Sequence, residues 1–222
     1  DILCVGMEDG TVSLIEANVT SLRVFSSFKH THQPISVVKF SPSSEILAVA
    51  SKDRNIYLYK SSDLRNFVRQ AVCQGHGGTV MHIDFSSNSQ YIATACEAKS
   101  LLFYSVGGTN VREPSTLRNE SWAANGVRTN PFGWHVQGLA HSDTENPIRT
   151  VCAMPDVGDV ISGDSNGKLN AYRYPAIVEN ALCQTYNGHA GPIARVMSSA
   201  NKRYLISIGQ DDRTIILWKH ET

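Results

Sequence analysis

The sequence has no excess of charge of either sign, no long apolar run and no even set of cysteines. Its 20 basic and 20 acidic residues balance, which argues against nucleic acid as the main partner. No run reaches the 18 or more apolar residues of a transmembrane helix, so no membrane partner is expected. The start, Asp-Ile-Leu-Cys-Val, lacks the basic residues and cleavage site of a signal peptide. We therefore expect a soluble globular protein of the cytoplasm.

The cysteines are odd in number and scattered through strand-like segments, which favours reduced, packed thiols over a disulfide framework. They are Cys4, Cys73, Cys96, Cys152 and Cys183.

A repeat of a little over forty residues runs through the chain. In each copy a bulky residue closes a β-rich segment, and these residues are spaced by 44, 45, 68 and 46 residues. They are Ile15, Tyr59, Tyr104, Tyr172 and Trp218. Three of the spacings fit the roughly 40–45 residues of a WD-repeat blade, and the fourth contains an insertion of about 23 residues.

Each copy has the same internal order of an apolar run, a tight turn and a second strand. In the last copy these are Tyr204–Ile208, Asp212–Thr214 and Ile215–Trp218. Asp, Asn and Gly are favoured in such turns because they tolerate a positive φ or bond to their own backbone. Short strands joined at regular intervals by turn residues predict an all-β fold, here a WD-repeat β-propeller.

The repeat predicts about five blades, of which three are complete and the first and last have three strands each. The outer strand of the third blade is expected near Ser115–Trp122. Because an unclosed propeller leaves strand edges exposed, we expect residues 1–222 to be the tail of a longer chain or to lack part of the ring. The predicted blades cover residues 1–30, 31–76, 77–122, 148–189 and 190–222, with the insertion at 123–147.

Polar residues recur at fixed places in the blades. In a full WD blade a turn Asp accepts hydrogen bonds from a loop His and a strand Ser or Thr, near the closing aromatic residue, so that buried polar groups are paired. The predicted members of this blade network are Asp9, His30, Ser51, Asp53, Tyr59, His189, Asp212 and Trp218. We expect them to be structural, with Gln210 in place of the serine of the last blade and His32 as the alternative to His30.

No pattern of catalytic or metal-binding residues stands out. The third and fourth blades are interpreted as degenerate, since Ala98 and Asn166 replace the turn acid. The turn that begins at Asp164 is unlike a calcium loop because its twelfth position is Pro175. His30 and His32 lack a third ligand at metal spacing. No phosphate loop, nucleophile elbow or carboxylate pair is present, so we predict no enzyme, metal site or cofactor.

The insertion holds the candidate protein-binding residues Arg128, Phe132, Trp134 and His135. Loops carry binding more often than strands do, and an aromatic side chain beside Arg is typical of an interface anchor. The alternative is that Phe132 and Trp134 are buried over the adjacent blade.

The chain resembles the echinoderm microtubule-associated-protein-like family. The residues that carry this resemblance are Pro34–Pro42, Leu47–Tyr57, Val80–Ser86 with Tyr91, Leu117–Ala123, Phe132–Leu139, Gly163–Lys168 and Tyr174-Pro175. The segments beginning at Leu117 and at Gly163 are similar to the family's Leu-Arg-x-x-x-Trp-Ala and Gly-Asp-Asp-x-Gly-Lys. This resemblance implies tandem propellers, association with tubulin or microtubules, and a cytoskeletal location. The alternative function is a general WD-repeat scaffold or adaptor for other protein complexes.

Overall fold

The computed structural model describes residues 2–98, 100–117, 119–123, 148–154, 157–174, 176, 181–199, 201 and 203–219. The chain divides into two compact units, Asp1–Ala123 and Ala124–Thr222. In the described part of the chain, no helix has the length and apolar character needed to cross a membrane.

The first unit contains three antiparallel sheets, which we call the first, second and third blades. The first blade consists of β1 (Ile2–Gly6), β2 (Thr11–Ala17) and β3 (Leu22–Lys29) in that order. The second is β4 (Ile35–Phe40), β5 (Ile46–Ser51), β6 (Ile56–Lys60) and β7 (Val68–Cys73). The third is β8 (Val80–Phe85), β9 (Tyr91–Cys96) and β10 (Leu101–Ser105).

Both faces of the second blade are buried, because successive residues of a strand point to opposite faces of its sheet. On one face Leu47, Val49, Tyr57 and Tyr59 pack against the first blade at Val12 and Leu14. On the other face Ile46, Ala48, Ala50, Ile56 and Leu58 pack against the third blade at Val80, Ile83 and Phe85. Every residue of β5 is consequently buried.

Two polar contacts join the innermost strands of the second and third blades. The Ser36 hydroxyl donates to the Val80 carbonyl at 2.7 Å. Lys39 forms an ion pair with Asp84, and the side chains of the two residues are 20% and 4% exposed. The two blades are therefore joined by charge as well as by apolar packing.

The third blade has three strands in the described residues, so the outer strand predicted near Ser115–Trp122 is wrong. Pro114–Leu117 instead form a short 3₁₀ helix, as suits a proline that has no N–H for a strand ladder. Trp122 forms an isolated bridge with Ser86, at the end of β8. Its ring lies 5.8 Å from that of Phe103. At the outer edge of the sheet, beside β10, Asn110 forms an isolated bridge with Tyr104 and the Val111 amide donates to the Phe103 carbonyl at 2.8 Å.

The second unit contains two antiparallel sheets, the fourth and last blades. The fourth blade is β11 (Ile148–Met154), β12 (Asp159–Asp164), β13 (Lys168–Arg173) and β14 (Cys183–Asn187). The last is β15 (Ile193–Ser198), β16 (Tyr204–Gly209) and β17 (Ile215–Lys219). Met154, Ile161 and Leu169 of the fourth blade pack against Ile193, Val196, Leu205 and Trp218 of the last.

The five sheets in chain order confirm the predicted fold class, and the first and last blades have three strands, as expected. In the described part of the chain, two blades have four strands, rather than the three predicted. The hydrophobic period located the inner strands to within a residue or two, whereas the outer strand of the third blade had only a weak apolar pattern.

Candidate functional site

The predicted polar residues come together most completely in the last blade. His189 lies in the loop before β15, and its side chain is fully buried. Its Nδ1 lies 3.0 Å from the Asp212 Oδ2, and its Nε2 lies 2.7 Å from the Ser207 Oγ. Trp218 Nε1 donates to the same Ser207 Oγ at 2.8 Å. One network therefore ties the loop to β16, to the turn and to β17.

The geometry assigns the direction of these bonds. A carboxylate only accepts, so Nδ1 of His189 carries the proton that it donates to Asp212. Nε2 lies within hydrogen-bonding distance of the Ser207 hydroxyl, whose oxygen accepts from the Trp218 N–H. Every buried polar atom in this chain of bonds has a partner, as a stable interior requires.

Backbone amides hold the Asp212 carboxylate. The Thr214 N–H donates to Oδ1 and the Ala190 N–H donates to Oδ2, each at 3.0 Å. These bonds and the His189 bond lower the pKa of Asp212 to about 2, and the Thr214 amide makes the largest contribution. The carboxylate thus stays charged throughout the physiological range.

Gly209 provides the space for this arrangement. A Cβ at this position would lie 1.9 Å from the Asp212 Oδ1 and 2.5 Å from the His189 Nδ1, far inside van der Waals contact. The sequence assigned the missing serine to Gln210, and this assignment is wrong, because Ser207 makes the bonds. Gln210 instead accepts from the Arg149 guanidinium at 2.9 Å. The sequence feature that could have identified Ser207 is a serine in the middle of an otherwise apolar strand.

In the second blade the predicted residues form two separate pairs. His30 Nδ1 lies 2.9 Å from the Tyr59 hydroxyl. Asp53 instead accepts from the Tyr57 hydroxyl at 2.7 Å and from the Asn55 amide at 2.9 Å. The structure therefore does not join His30 to Asp53. Of the two candidate histidines only His30 contacts the closing aromatic, since His32 is exposed.

The register explains this difference. Ser51 pairs with Ile35, as Gly209 pairs with Ile193, so Ser51 occupies the position of Gly209. Its hydroxyl accepts from the Asp53 amide at 3.3 Å and lies 3.4 Å from the Thr31 hydroxyl. The turn of the second blade is also one residue shorter, because Asp53 follows Ser51 by two residues whereas Asp212 follows Gly209 by three. Burial, followed by the charge of Arg69, lowers the pKa of His30.

Asp9 of the first blade belongs to an exposed turn. It accepts from the Thr11 amide at 2.9 Å and from the Thr11 hydroxyl at 2.7 Å, and Lys29 approaches it at 3.4 Å. The Thr11 amide contributes most to the lowered pKa of this carboxyl. In the described structure this carboxylate therefore bonds to its own turn and to β3, and the structure does not join it to a loop histidine.

The third blade contains a network that the sequence reading missed. His76 Nε2 lies 2.8 Å from the Thr94 Oγ1, and Nδ1 lies 3.4 Å from the Ser100 Oγ. The Tyr104 hydroxyl donates to the Gln74 carbonyl at 2.8 Å. The sequence contained a signal for this network, the dipeptide Gly75-His76. As with Gly188-His189, its histidine lies four residues before the start of the next strand. Burial lowers the pKa of His76.

The turn of the fourth blade is closed by a strand residue. Asp164, at the end of β12, accepts from the Asn166 and Lys168 amides at 2.8 and 2.9 Å. Asp164 thereby makes the turn hydrogen bonds that were expected from an acid at position 166, two residues later in the chain. This is the turn that was compared with a calcium loop.

The candidate protein-binding residues Arg128, Phe132, Trp134 and His135 lie outside the described residues. Among the residues that the structure describes, no three His, Cys, Asp or Glu side chains come together as a ligand set for a metal ion.

Comparison with known proteins identifies the family. Residues 1–220 match the model of the echinoderm microtubule-associated protein second beta-propeller. The chain belongs to this family. Its five sheets are accordingly blades of the propeller that this family model describes, which we call the EMAP (echinoderm microtubule-associated protein) propeller. The WD-repeat fold predicted from the period is confirmed.

Curated relatives of this EMAP propeller are similar along most of the chain. Ciliary WD repeat-containing protein ctxp80 of Euplotoides octocarinatus is 30% identical over 98% of the chain and 30% of its own length. Human echinoderm microtubule-associated protein-like 1 is 29% identical over 85% of the chain and 23% of its own length. The 77 kDa echinoderm microtubule-associated protein of Strongylocentrotus purpuratus is 28% identical over 98% of the chain and 31% of its own length. The chain thus spans about a third or less of these relatives.

A solved structure supports the same fold. A chain in the crystal structure of the mitotic checkpoint complex matches all of this EMAP propeller chain and 59% of its own length, with a TM-score of 0.58 and 12% identity. At that identity the likeness shows the fold alone.

Proposed function

We propose that this EMAP propeller is a non-catalytic protein-interaction platform of a microtubule-associated protein, and that it binds tubulin or microtubules at the cytoskeleton. The single observation that carries the proposal is the family match over residues 1–220. Relatives that cover most of the chain are named as microtubule-associated proteins.

The blade networks support a platform role. The loops that precede β8 and β15 are each attached to their own blade through a buried histidine, His76 and His189. Such attachment keeps the loops in one conformation, and preorganised loops lose less entropy on binding. The loops are therefore suited to present a fixed surface to a large partner.

Sedimentation tests this function. The 222-residue chain is mixed with polymerised microtubules and pelleted, and in parallel is run with soluble tubulin dimer on size exclusion. We expect co-pelleting, a shift with the dimer, or both. Absence of both, under conditions where a longer piece of the protein binds, would favour a scaffold for other complexes.

A pair of charge reversals tests whether the insertion takes part. Arg128→Glu changes the candidate protein-binding loop, and Arg195→Glu makes the same change in net charge at an exposed residue of β15. We expect Arg128→Glu alone to weaken tubulin binding, with the melting temperature unchanged in both variants. Equal binding by the two variants would remove Arg128 from the contact surface.

A further inference from the structure

Asn-Gly dipeptides occur at three places in the sequence, and one of them lies in the exposed turn between β12 and β13. The three asparagines are Asn125, Asn166 and Asn187, of which Asn125 lies outside the described residues. An Asn-Gly peptide can rearrange without an enzyme, because the glycine has no side chain to keep its amide nitrogen away from the asparagine side-chain carbonyl. The two described dipeptides are chemically alike, so the fold decides which of them reacts faster.

Asn187 is held in place by its sheet. It is the last residue of β14 and pairs with Lys168 of β13. The next residue, Gly188, lies against the Trp218 ring, since a Cβ on Gly188 would be 2.6 Å from a ring carbon. Rearrangement requires the asparagine to rotate about its own backbone and its Cα–Cβ bond, and such a rotation at Asn187 would break the pairing with β13. The structure therefore protects Asn187.

Asn166 stands between two strands rather than within one. β12 ends at Asp164 and β13 begins at Lys168, and Asn166 is exposed. Its amide donates to the Asp164 Oδ1 at 2.8 Å, a bond inside the turn itself. Gly167, which follows, has a φ of +79°, in the left-handed region that glycine adopts with little strain. Rotation about the Asn166 backbone therefore disturbs a local turn rather than a strand pair.

Packing requires the glycine of this dipeptide. A Cβ on Gly167 would lie 2.2 Å from the His189 carbonyl oxygen and 2.8 Å from that of Gly191. The Gly167 carbonyl in turn accepts from the His189 amide at 3.4 Å. The turn of the fourth blade is thus in direct contact with the loop that carries His189. The residue that makes Asn166 reactive is the one that this contact demands.

We infer that Asn166 is a site of spontaneous deamidation, and that its product loosens the loop that carries His189. The Gly167 amide nitrogen attacks the Asn166 Cγ, so that an N–C bond forms and the side-chain amide leaves as ammonia with the proton of the Gly167 amide. Water then opens the five-membered ring, adding its hydroxyl to one of the two ring carbonyl carbons and a proton to the nitrogen. Opening at Cγ gives aspartate, and opening at the main-chain carbon gives isoaspartate.

Both products change the contact between turn and loop. Either one adds a negative charge close to Asp164, whose carboxylate already accepts from the Asn166 and Lys168 amides. Isoaspartate also lengthens the main chain by one carbon atom directly before Gly167. Because this glycine is packed against two carbonyl oxygens of the loop, the extra atom has to displace either the turn or the loop. The attachment of the last blade to the fourth weakens as a result.

Peptide-resolved mass spectrometry of the aged chain tests the reaction. The folded 222-residue chain is incubated at mildly alkaline pH, and the change from amide to acid is followed at Asn166 and Asn187 in the same samples. We expect Asn166 to react about tenfold faster, which is the factor that one net backbone hydrogen bond supplies. In urea, where the fold is lost, the two rates should converge. Equal rates in the folded chain, or a faster reaction at Asn187, would overturn the inference.

Two matched variants, Asn166→Gln and Asn187→Gln, test the effect on the loop, because glutamine cannot form the five-membered ring. The melting temperature of the wild-type chain is expected to fall as isoaspartate accumulates at residue 166. This fall should disappear in Asn166→Gln and persist in Asn187→Gln. An equal fall in Asn166→Gln would exclude this turn as its cause. The comparison of rates in the wild-type chain decides on the reaction itself even if a variant fails to fold.

Discussion

The side chains of His189 and Trp218 share one hydrogen-bonding atom, the hydroxyl oxygen of Ser207, at 2.7 and 2.8 Å. The residues of this chain of bonds are distant in sequence, yet they hold the loop before β15, the strand β16 and the strand β17 to one another. The stability of the last blade should therefore depend on the Ser207 hydroxyl more than on any exposed residue of the same sheet.

Ser207→Ala is expected to lower the free energy of unfolding by about 2–4 kcal/mol, because it leaves the buried His189 Nε2 and the half-buried Trp218 N–H without their partner. Urea unfolding of the 222-residue chain measures this. Ser165→Ala, in the turn after β12, is the matched control and should change stability by less than about 0.5 kcal/mol. Equal effects of the two substitutions would mean that the shared hydroxyl contributes little.

Gly209→Ser is expected to destabilise the last blade by about 1–3 kcal/mol, since the new side chain collides with Asp212 and His189. The control is Gly107→Ala, whose added Cβ would lie 3.6 Å from its nearest neighbour. Thermal unfolding of both variants provides the comparison. A Gly209→Ser melting temperature equal to that of the wild type would show that the network can rearrange as it does around Ser51.

Acid should weaken the last blade through Asp212. Its pKa is about 2 in the folded chain against an ordinary 3.8, so the unfolded chain binds the proton more readily. The stabilisation is present above the ordinary pKa and is lost as the pH falls from about 4 towards 2. We expect the melting temperature of Asp212→Asn to be lower than that of the wild type at pH 6 and to converge with it in acid. Parallel pH curves would contradict this.

His76 should make stability depend on pH nearer to neutrality. Burial lowers its pKa below the ordinary 6.5, so protonation favours the unfolded chain. The contribution of the neutral ring is full above pH 6.5 and decreases as the pH falls below it. Between pH 7.5 and 5.5 the melting temperature of His76→Asn should fall less steeply than that of the wild type. The substitution His32→Asn, at an exposed ring, is the matched control for replacing a histidine by asparagine.

Lys39→Met is expected to cost about 3 kcal/mol, because it removes the positive charge beside the buried Asp84 carboxylate. Lys60→Met, at an exposed position of β6, should be nearly neutral. Adding Asp84→Asn to Lys39→Met should recover part of the loss, and a double-mutant cycle in urea measures the coupling. Strict additivity would mean that the two charges do not interact.

Much of the fold was predictable because its signals are local. The apolar runs that became β4, β5 and β6 alternate or are β-branched, and Asp-Arg-Asn and Asp-Arg-Thr mark tight turns. The missing outer strand of the third blade was not predictable in this way. There the pattern is weak, and Pro114 begins a short 3₁₀ helix instead of a strand.

The polar networks were predictable only in part. His189, Asp212 and Trp218 occur in a familiar order, and the structure joins them. His30 and Asp53 occur in the same order and are not joined: Ser51 stands where the last blade has Gly209, and the turn that carries Asp53 is one residue shorter.

By itself, the sequence determined the number of blades, the place of most strands and the residue types at each turn, because hydrophobic period and turn chemistry act between near neighbours. The tertiary structure alone places Ser207 rather than Gln210 in the last network and joins His76 to Thr94 and Ser100 in the third blade. Those outcomes depend on which side chains meet between a loop and a hairpin, and these contacts exist only after the blade has formed.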